Sequence, residues 1–471
     1  MIQVQNLALT LEEKQVFSGI DFQVSGGDFF LIKGKSGSGK SLLLQIMAGL
    51  MPEIIEGDLS GTIRVMDKDP TKEGVVGMAG DLAYLMQDPD SQLCTFTVKD
   101  EILFGMENLK FSKETMQKRL DHVLRLFQIE DLKDRTISEL SGGQKQKVCF
   151  ASLYVMDSEI FLLDEPTANL DPQSARDIID IACRLVHDEG KTVVLVEHNH
   201  HYAKSFVNKV YDMDRKILVT KNVETYIDVY LEDFELPTVD FKHGDKIILE
   251  GRNLSHRYRD LRVFHDIDLN LREGEILALI GESGSGKSTL ANILTGLMKP
   301  SAGTVTIDGR SLADLSTMEI GNSIGLVFQN PEHQFIKYNV WDELALNLVT
   351  RHCDEKVIQE RVERFLKRFN LADKADANPY ELSQGEKRKL STASMLITGQ
   401  KVLILDEPTY GQDRENLIQL LNLLFEVAKS GVAIILISHD MELVKRCCHR
   451  ALVMKDGSLE NYRRGGNDES V

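Results

Sequence analysis

The strongest constraint on this chain is that it repeats itself at the scale of a domain. The stretch GKSGSGKS at 34–41 returns as GESGSGKS at 281–288, and LLDEPTANLD at 162–171 returns as ILDEPTYGQD at 404–413. Gln87, Ser141, Asp164 and Glu165 stand in the same order and spacing as Gln329, Ser383, Asp406 and Glu407, each pair 242 positions apart (329 − 87 = 242). Lys40 and Lys287 are 247 apart (287 − 40 = 247), so the first copy carries about five extra residues between its lysine and its glutamine. A period this long lies far outside the roughly 20–50 residues of a solenoid. The chain of 471 residues is therefore expected to be a tandem duplication of one domain.

The seam is expected near 222–246, NVETYIDVYLEDFELPTVDFKHGDK, which holds Pro237 and many acids and lacks a long apolar period. That places a first domain at 1–221, a short linker at 222–246 and a second domain at 247–471. Within each copy strand-like runs alternate with helical ones, the pattern of an α/β fold on a mostly parallel sheet. GVAIILIS and EILALIG read as buried parallel strands. Leu120, Val123, Leu124 and Phe127 recur at helical spacing, and Val362, Phe365, Leu366 and Phe369 repeat that stripe, so each copy should also hold an amphipathic helix facing a core.

Composition narrows the partners. The net charge of −18 argues against a nucleic-acid duplex, which basic proteins bind. Six cysteines occur without a Cys-x-x-Cys pair, so neither metal-ligand spacing nor a disulfide framework is expected. The adjacent Cys447 and Cys448 read as core residues of a C-terminal helix. MIQVQNLALTLEEK has no basic start or long apolar core, and no stretch approaches the roughly 20 apolar residues that cross a bilayer. Any membrane role is expected to come through a partner.

The repeated motifs carry chemistry. Each G-x-x-x-x-G-K-[ST] follows an apolar run and precedes a helical one. Glycines in such a loop let backbone N–H groups wrap phosphates, and the helix N-terminus adds its dipole. Gly34, Lys35, Ser36, Gly37, Ser38, Gly39, Lys40 and Ser41 form the first candidate loop. Gly281, Glu282, Ser283, Gly284, Ser285, Gly286, Lys287, Ser288 and Thr289 form the second. Lys40 and Lys287 would hold β- and γ-phosphates, and Ser41 and Ser288 would ligate Mg²⁺. Asp164 and Asp406 end apolar runs and would hold the same ion, directly or through water. Glu165 and Glu407 follow them, placed to polarise an attacking water. His198 and His439 lie 33 and 32 residues after those glutamates (198 − 165 and 439 − 407), which favours a γ-phosphate contact for each.

With these elements in place the chain resembles the ATP-binding-cassette (ABC) ATPases over nearly its whole length. The resemblance implies two tandem P-loop NTPase domains, each with a mostly parallel core sheet, an antiparallel β subdomain and a helical subdomain. It implies ATP and Mg²⁺ as cofactors, and head-to-tail pairing of the two domains within the chain as a pseudo-dimer. In that family the LSGGQ-like signature of one domain caps the nucleotide of the other. Ser141 and Gly143 would therefore serve the ATP on Lys287, and Ser383 and Gly385 the ATP on Lys40. Gln87 and Gln329 match the glutamine that links the metal site to the membrane partner. Ala168–Asp171 and Tyr410–Asp413 match the loop that couples the two sites.

A narrower resemblance follows those glutamines. QDPDSQL (87–93) and QNPEHQF (329–335), with VKDEILFGMENL and VWDELALNL, are similar to the ATPases of energy-coupling factor (ECF) transporters, which import vitamins and metal ions. That implies a transmembrane coupling subunit and a substrate-binding membrane subunit as partners, and a peripheral place on the cytoplasmic face of the cell membrane. A soluble tandem ABC ATPase acting on the ribosome is the alternative, although its long charged helical linker does not match the acidic seam. An ATPase of another importer subfamily is a further alternative.

The copies also differ. The resemblance implies an aromatic ring against adenine, which in the second copy would be Tyr258, and its counterpart by counting is Leu11. The second signature reads LSQGEK, with Gln384 for the first glycine and Glu386 for glutamine, while Ser383 and Gly385 are kept. By the head-to-tail resemblance both departures fall on one site, which is expected to be the weaker of two hydrolysing sites.

Overall fold

A computed structural model describes all residues except 36, 53, 169, 171, 198–201, 233–234, 259–260, 283, 410–413 and 463–471. The chain divides into two compact units, Met1–Asp233 and Phe234–Val471. Each is described by itself.

The first unit is built on a six-stranded sheet in the order Leu82–Leu85, Ile160–Asp164, Thr192–Val196, Phe29–Lys33, Lys209–Asp212, Ile217–Val219. Its first four pairings are parallel and the last is antiparallel. Strand residues alternate between two apolar cores. Phe29, Leu31, Phe161, Leu163, Val193 and Leu195 face one, and Phe30, Ile32, Ile160, Leu162, Val194 and Val196 face the other. A sheet buried on both faces explains why these strands are apolar throughout.

One core is closed by three helices, Val98–Asn108, Lys113–Leu126 and Gly142–Tyr154, together with the helix Pro172–His187. The stripe Leu120, Val123, Leu124 and Phe127 points into it. The other core is closed by a three-stranded antiparallel sheet, Lys14–Val24, Ile2–Leu11 and Asp58–Val65, and by the helix Lys40–Met47.

The second unit repeats this plan. Its core sheet runs Ile324–Val327, Val402–Asp406, Ala433–Ile437, Ile276–Ile280, Arg450–Lys455, Ser458–Asn461. Val340–Val349, Glu355–Arg368 and Gln384–Leu396 form its helical part, and the stripe Val362, Phe365, Leu366 and Phe369 is buried there. The antiparallel sheet has four strands, Leu261–Arg272, Ile247–Tyr258, Ala302–Ile307 and Arg310–Ser311. Cys447 and Cys448 are buried at the end of the helix Met441–Cys447.

The stretch 222–246 is more structured than its sequence suggests. Val223–Glu232 is a helix whose Val223 and Ile227, one turn apart, enter the first unit's core. Past it, Leu236 is buried in the second unit, Phe241 lies edge-on to Phe425 at 5.9 Å, and the Val239 N–H donates to the Arg446 carbonyl at 2.8 Å. Four apolar residues are too few to show a period in sequence, yet enough to dock each end of the seam.

Candidate functional site

In both units the conserved chemistry of the repeat collects at the carboxyl ends of the parallel strands, the usual ligand face of such sheets. Ile32, Val196 and Asp164 lie in one register across three neighbouring strands, just below the loop that starts at Gly34. The loop glycines require their identity. Gly37 and Gly39 have φ of 77° and 89°, Gly284 and Gly286 of 79° and 103°, values that side chains rarely tolerate. Lys40 Nζ donates to the carbonyls of Gly34 and Lys35, both at 2.9 Å. Lys287 does the same to Gly281 and Glu282, both at 2.8 Å. Each lysine thus arches over its own loop.

Within each loop one serine hydroxyl, Ser38 Oγ and Ser285 Oγ, is buried without a hydrogen-bond partner. An orphaned polar atom inside a cradle of backbone N–H groups fits a ligand rich in oxygen, and phosphate is such a ligand.

Behind the loops sit the carboxylates. Ser41 Oγ donates to Asp164 Oδ1 at 2.9 Å, and Ser288 Oγ to Asp406 Oδ2 at 2.8 Å. Burial, and then the Glu165 charge, push the Asp164 carboxyl up to about 7. Burial likewise raises Asp406, and burial with the Asp406 charge brings Glu407 to about 8. Burial is the main cause of each shift, and a cation bound here would favour the charged carboxylates. Among the described residues no group of three His, Cys, Asp or Glu side chains gathers to hold a metal. The available donors are instead hard oxygens: one hydroxyl, one carboxylate and the nearby glutamine amide. That set suits Mg²⁺, which commonly binds through one or two carboxylates plus substrate phosphates.

Glu165 and Glu407 share a feature that their sequence does not announce. Both adopt left-handed backbone, with φ of 46° and 48°, which is strained for glutamate. A main-chain bond holds each there: Glu165 N–H donates to the Val196 carbonyl at 2.8 Å and Glu407 N–H to the Ile437 carbonyl at 2.9 Å. Among the described residues, Gln87 Nε2 donates to Glu165 Oε2 at 2.7 Å, and in the second unit His439 Nε2 lies 3.1 Å from Glu407 Oε1. His198, Ser36 and Ser283 lie outside the described residues, as does much of the stretch around Asp171 and all of 410–413.

The signatures open the helices Gly142–Tyr154 and Gln384–Leu396 as capping boxes. Ser141 Oγ accepts from the Gln144 N–H, and Gln144 Oε1 accepts from the Ser141 N–H. Ser383 and Glu386 repeat this exchange, and Ser383 Oγ also donates to Glu386 Oε2 at 2.9 Å. A β-carbon on Gly142 would meet nothing within 4 Å, whereas one on Gly385 would meet Asn416 at 2.7 Å. The glycine that the second copy lacks is the one that space does not require.

Leu11 and Tyr258 each end a strand, and Tyr258 is the more exposed. Two residues escaped the sequence reading. Tyr84 donates its hydroxyl to Asp164 Oδ2 at 3.1 Å, and its counterpart in the second copy is Leu326. Arg388 is buried under the second signature where the first has Gln146. Only overlaying the two copies would have singled them out.

These two phosphate-loop sites on duplicated α/β units define a nucleotide-hydrolysing protein, and a family model for ABC transporters matches residues 17–168 and 264–410. The chain belongs to the ABC transporter family and is an ATP-binding ATPase with two such domains. It is 36% identical to the Bacillus subtilis "Putative HMP/thiamine import ATP-binding protein YkoD", over 98% of this chain and 90% of that protein. It is 32% identical to "Putative ABC transporter ATP-binding protein TTE1589" of Caldanaerobacter subterraneus, over 96% of this chain and 88% of that one. A solved structure of cbiO1 from Clostridium perfringens, described as part of the ABC transporter complex cbiONQ, shares 34% identity over 46% of this chain and 88% of its own, with a TM-score of 0.43.

Proposed function

We propose that this chain is the ATP-hydrolysing subunit of an ECF-type importer for a vitamin, a vitamin precursor or a metal ion. The observation that carries this reading is a matched pair of bare aromatic side chains. Phe96 and Tyr338 each lie nine residues after the glutamine of their copy, and they are 87% and 86% exposed. Ile336 and Phe104 add exposed apolar surface beside them. Apolar side chains left bare at matching places next to both glutamines suit a protein partner. No helix among the described residues is long and apolar enough to cross a membrane, so the spanning parts would be that partner's. The name of the Bacillus subtilis relative supports a thiamine-related cargo.

In this reading Lys40 and Lys287 turn from their own loop carbonyls to the β- and γ-phosphates of ATP. Ser38 and Ser285 offer their hydroxyls to the same oxygens. Ser41, Asp164 and Gln87 would hold Mg²⁺ in the first site, and Ser288, Asp406 and Gln329 in the second. The ion would neutralise charge on the phosphates. Glu165 and Glu407 orient the attacking water, and His439 steadies Glu407. Catalysis is positioning plus electrostatics on phosphoryl transfer to water. On the head-to-tail arrangement, Ser383 and Gly385 complete the first site, and Ser141 and Gly143 the second.

The test is to recover the tagged chain from detergent-solubilised membranes and identify its integral membrane partners. Phe96→Asp with Tyr338→Asp should lose those partners while ATP binds with unchanged Kd. Recovery of ribosomes and no integral membrane protein would sink the importer reading.

A further inference from the structure

The two copies fasten the turn that follows their glutamine in different ways. In the second unit that turn is tied to the signature helix Gln384–Leu396. Arg388, fully buried, donates to the carbonyls of Phe328 and Gln329, both at 2.6 Å, and to that of Glu407 at 3.3 Å. Lys387 pairs with Glu332 at 2.6 Å. Gln334 Nε2 donates to the Ser391 carbonyl at 3.0 Å and to Ser394 Oγ at 3.1 Å, while Ser391 Oγ donates to Gln334 Oε1 at 2.7 Å.

In the first unit the matching residues turn away. Gln146 occupies the place of Arg388, 2% exposed, and its Nε2 has no hydrogen-bond partner. Gln92, the counterpart of Gln334, accepts from the Met86 N–H within the turn at 3.0 Å and donates to the Tyr84 carbonyl of the core strand at 3.1 Å. Cys149 stands where the second copy has Ser391. Its thiol, a weak donor, lies 3.8 Å from the Pro89 carbonyl. The remaining polar tie among the described residues is Lys145 to Asp90, an ion pair whose carboxylate is 65% exposed, and exposed pairs contribute little.

We propose that in the second unit the turn 328–335 and the signature helix move as one body, with Arg388 as the positioning residue, whereas in the first unit the turn 86–93 travels with its core strand. Charged hydrogen bonds to two successive carbonyls, made inside the protein, leave the second turn little freedom to part from its helix. An importer would then have one rigid linkage and one compliant one between its docking turns and its signatures. That use rests on the importer reading. The mechanical claim does not, and its test needs no membrane partner.

The experiment is amide hydrogen exchange of the full chain, following peptides that cover 86–93 and 328–335. The wild type should exchange more slowly at 328–335. Arg388→Gln, which installs the first copy's residue, should speed that peptide by about tenfold or more and leave 86–93 unchanged. Gln146→Arg should slow 86–93, and this reciprocal variant decides the matter if Arg388→Gln does not fold. Arg388→Lys should restore part of the protection. In ATP turnover, Arg388→Gln should lower kcat with KM unchanged. Equal protection of the two turns in the wild type would overturn the proposal. So would insensitivity of both peptides to the swaps, or a raised KM with kcat intact.

Discussion

Glu407→Gln should change how the stability of the second unit depends on pH. The Glu407 carboxyl holds its proton up to about 8, against 4.5 for an ordinary glutamate, because it is buried beside Asp406. Below the ordinary value both the folded and the unfolded chain carry the proton, and the group contributes nothing to pH dependence. As the pH climbs from there towards 8, the unfolded chain releases its proton and the folded chain keeps it. Stability therefore falls as pH rises, by about 1.4 kcal/mol per unit, and levels off above the folded value. Glutamine copies the neutral shape and cannot ionise. The variant should match the wild type near pH 4 and exceed it by about 4 kcal/mol at pH 7.5. Urea unfolding without nucleotide or divalent cation, read from hydrogen exchange of the strands Val402–Asp406 and Ala433–Ile437, measures the gap. An identical gap at both pH values would show that Glu407 titrates as an ordinary carboxylate, and the argument from burial would be wrong. The same proton must leave before Glu407 can act as a base. Binding of Mg²⁺ and ATP should therefore release protons at pH 7, measurable by calorimetry in buffers of different ionisation enthalpy.

Three further outcomes follow from the differences between the copies. Lys33 and Asp212 form a buried ion pair at 3.0 Å beneath the first loop, where the second unit pairs Ile280 with Val453. Lys33→Ile should cost about 3–5 kcal/mol in a thermal melt, because Asp212 keeps its charge and the hydrogen bonds it accepts from Tyr226 and two main-chain N–H groups. Leu11→Tyr should tighten ATP at the first loop about fivefold, an aromatic contact being worth about 1 kcal/mol. Equilibrium binding in a Lys287→Ala background isolates that loop. Glu386→Gln frees the Ser383 hydroxyl from a carboxylate and keeps the capping box that Gln144 makes in the first copy. It should raise kcat/KM for ATP by about fivefold, taking a charged hydrogen bond as about 1 kcal/mol stronger than a neutral one, and a fall in rate would give Glu386 a productive role.

What the sequence disclosed was whatever is written locally. The loop glycines, the apolar strands ending in Asp164 and Asp406, and the stripe through Leu120 and Phe127 each encode their place within a few residues. Their duplication multiplied the signal. The helix Val223–Glu232 was missed because its burial rests on two residues and on a surface supplied by the rest of the unit. The φ of Glu165 and Glu407 was not readable, since glutamate has no propensity for left-handed backbone and only the surrounding strands impose it. Lys387, Arg388 and Lys389 are three consecutive cations, all buried, a placement that no local pattern announces. Their partners are Glu332, main-chain carbonyls, Asn416 and Gln419, brought together only by folding.

The empty space beside Gly142 and the crowding of Gly385 by Asn416 give the two glycines of the signature different standing. Scored letter by letter, LSQGEK looks like a decayed motif. Scored by free volume, it has changed where a side chain meets open space and kept its glycine where a β-carbon would crowd the Asn416 amide. A count of signature glycines would mark this cassette as failing at a position where its fold has room to spare.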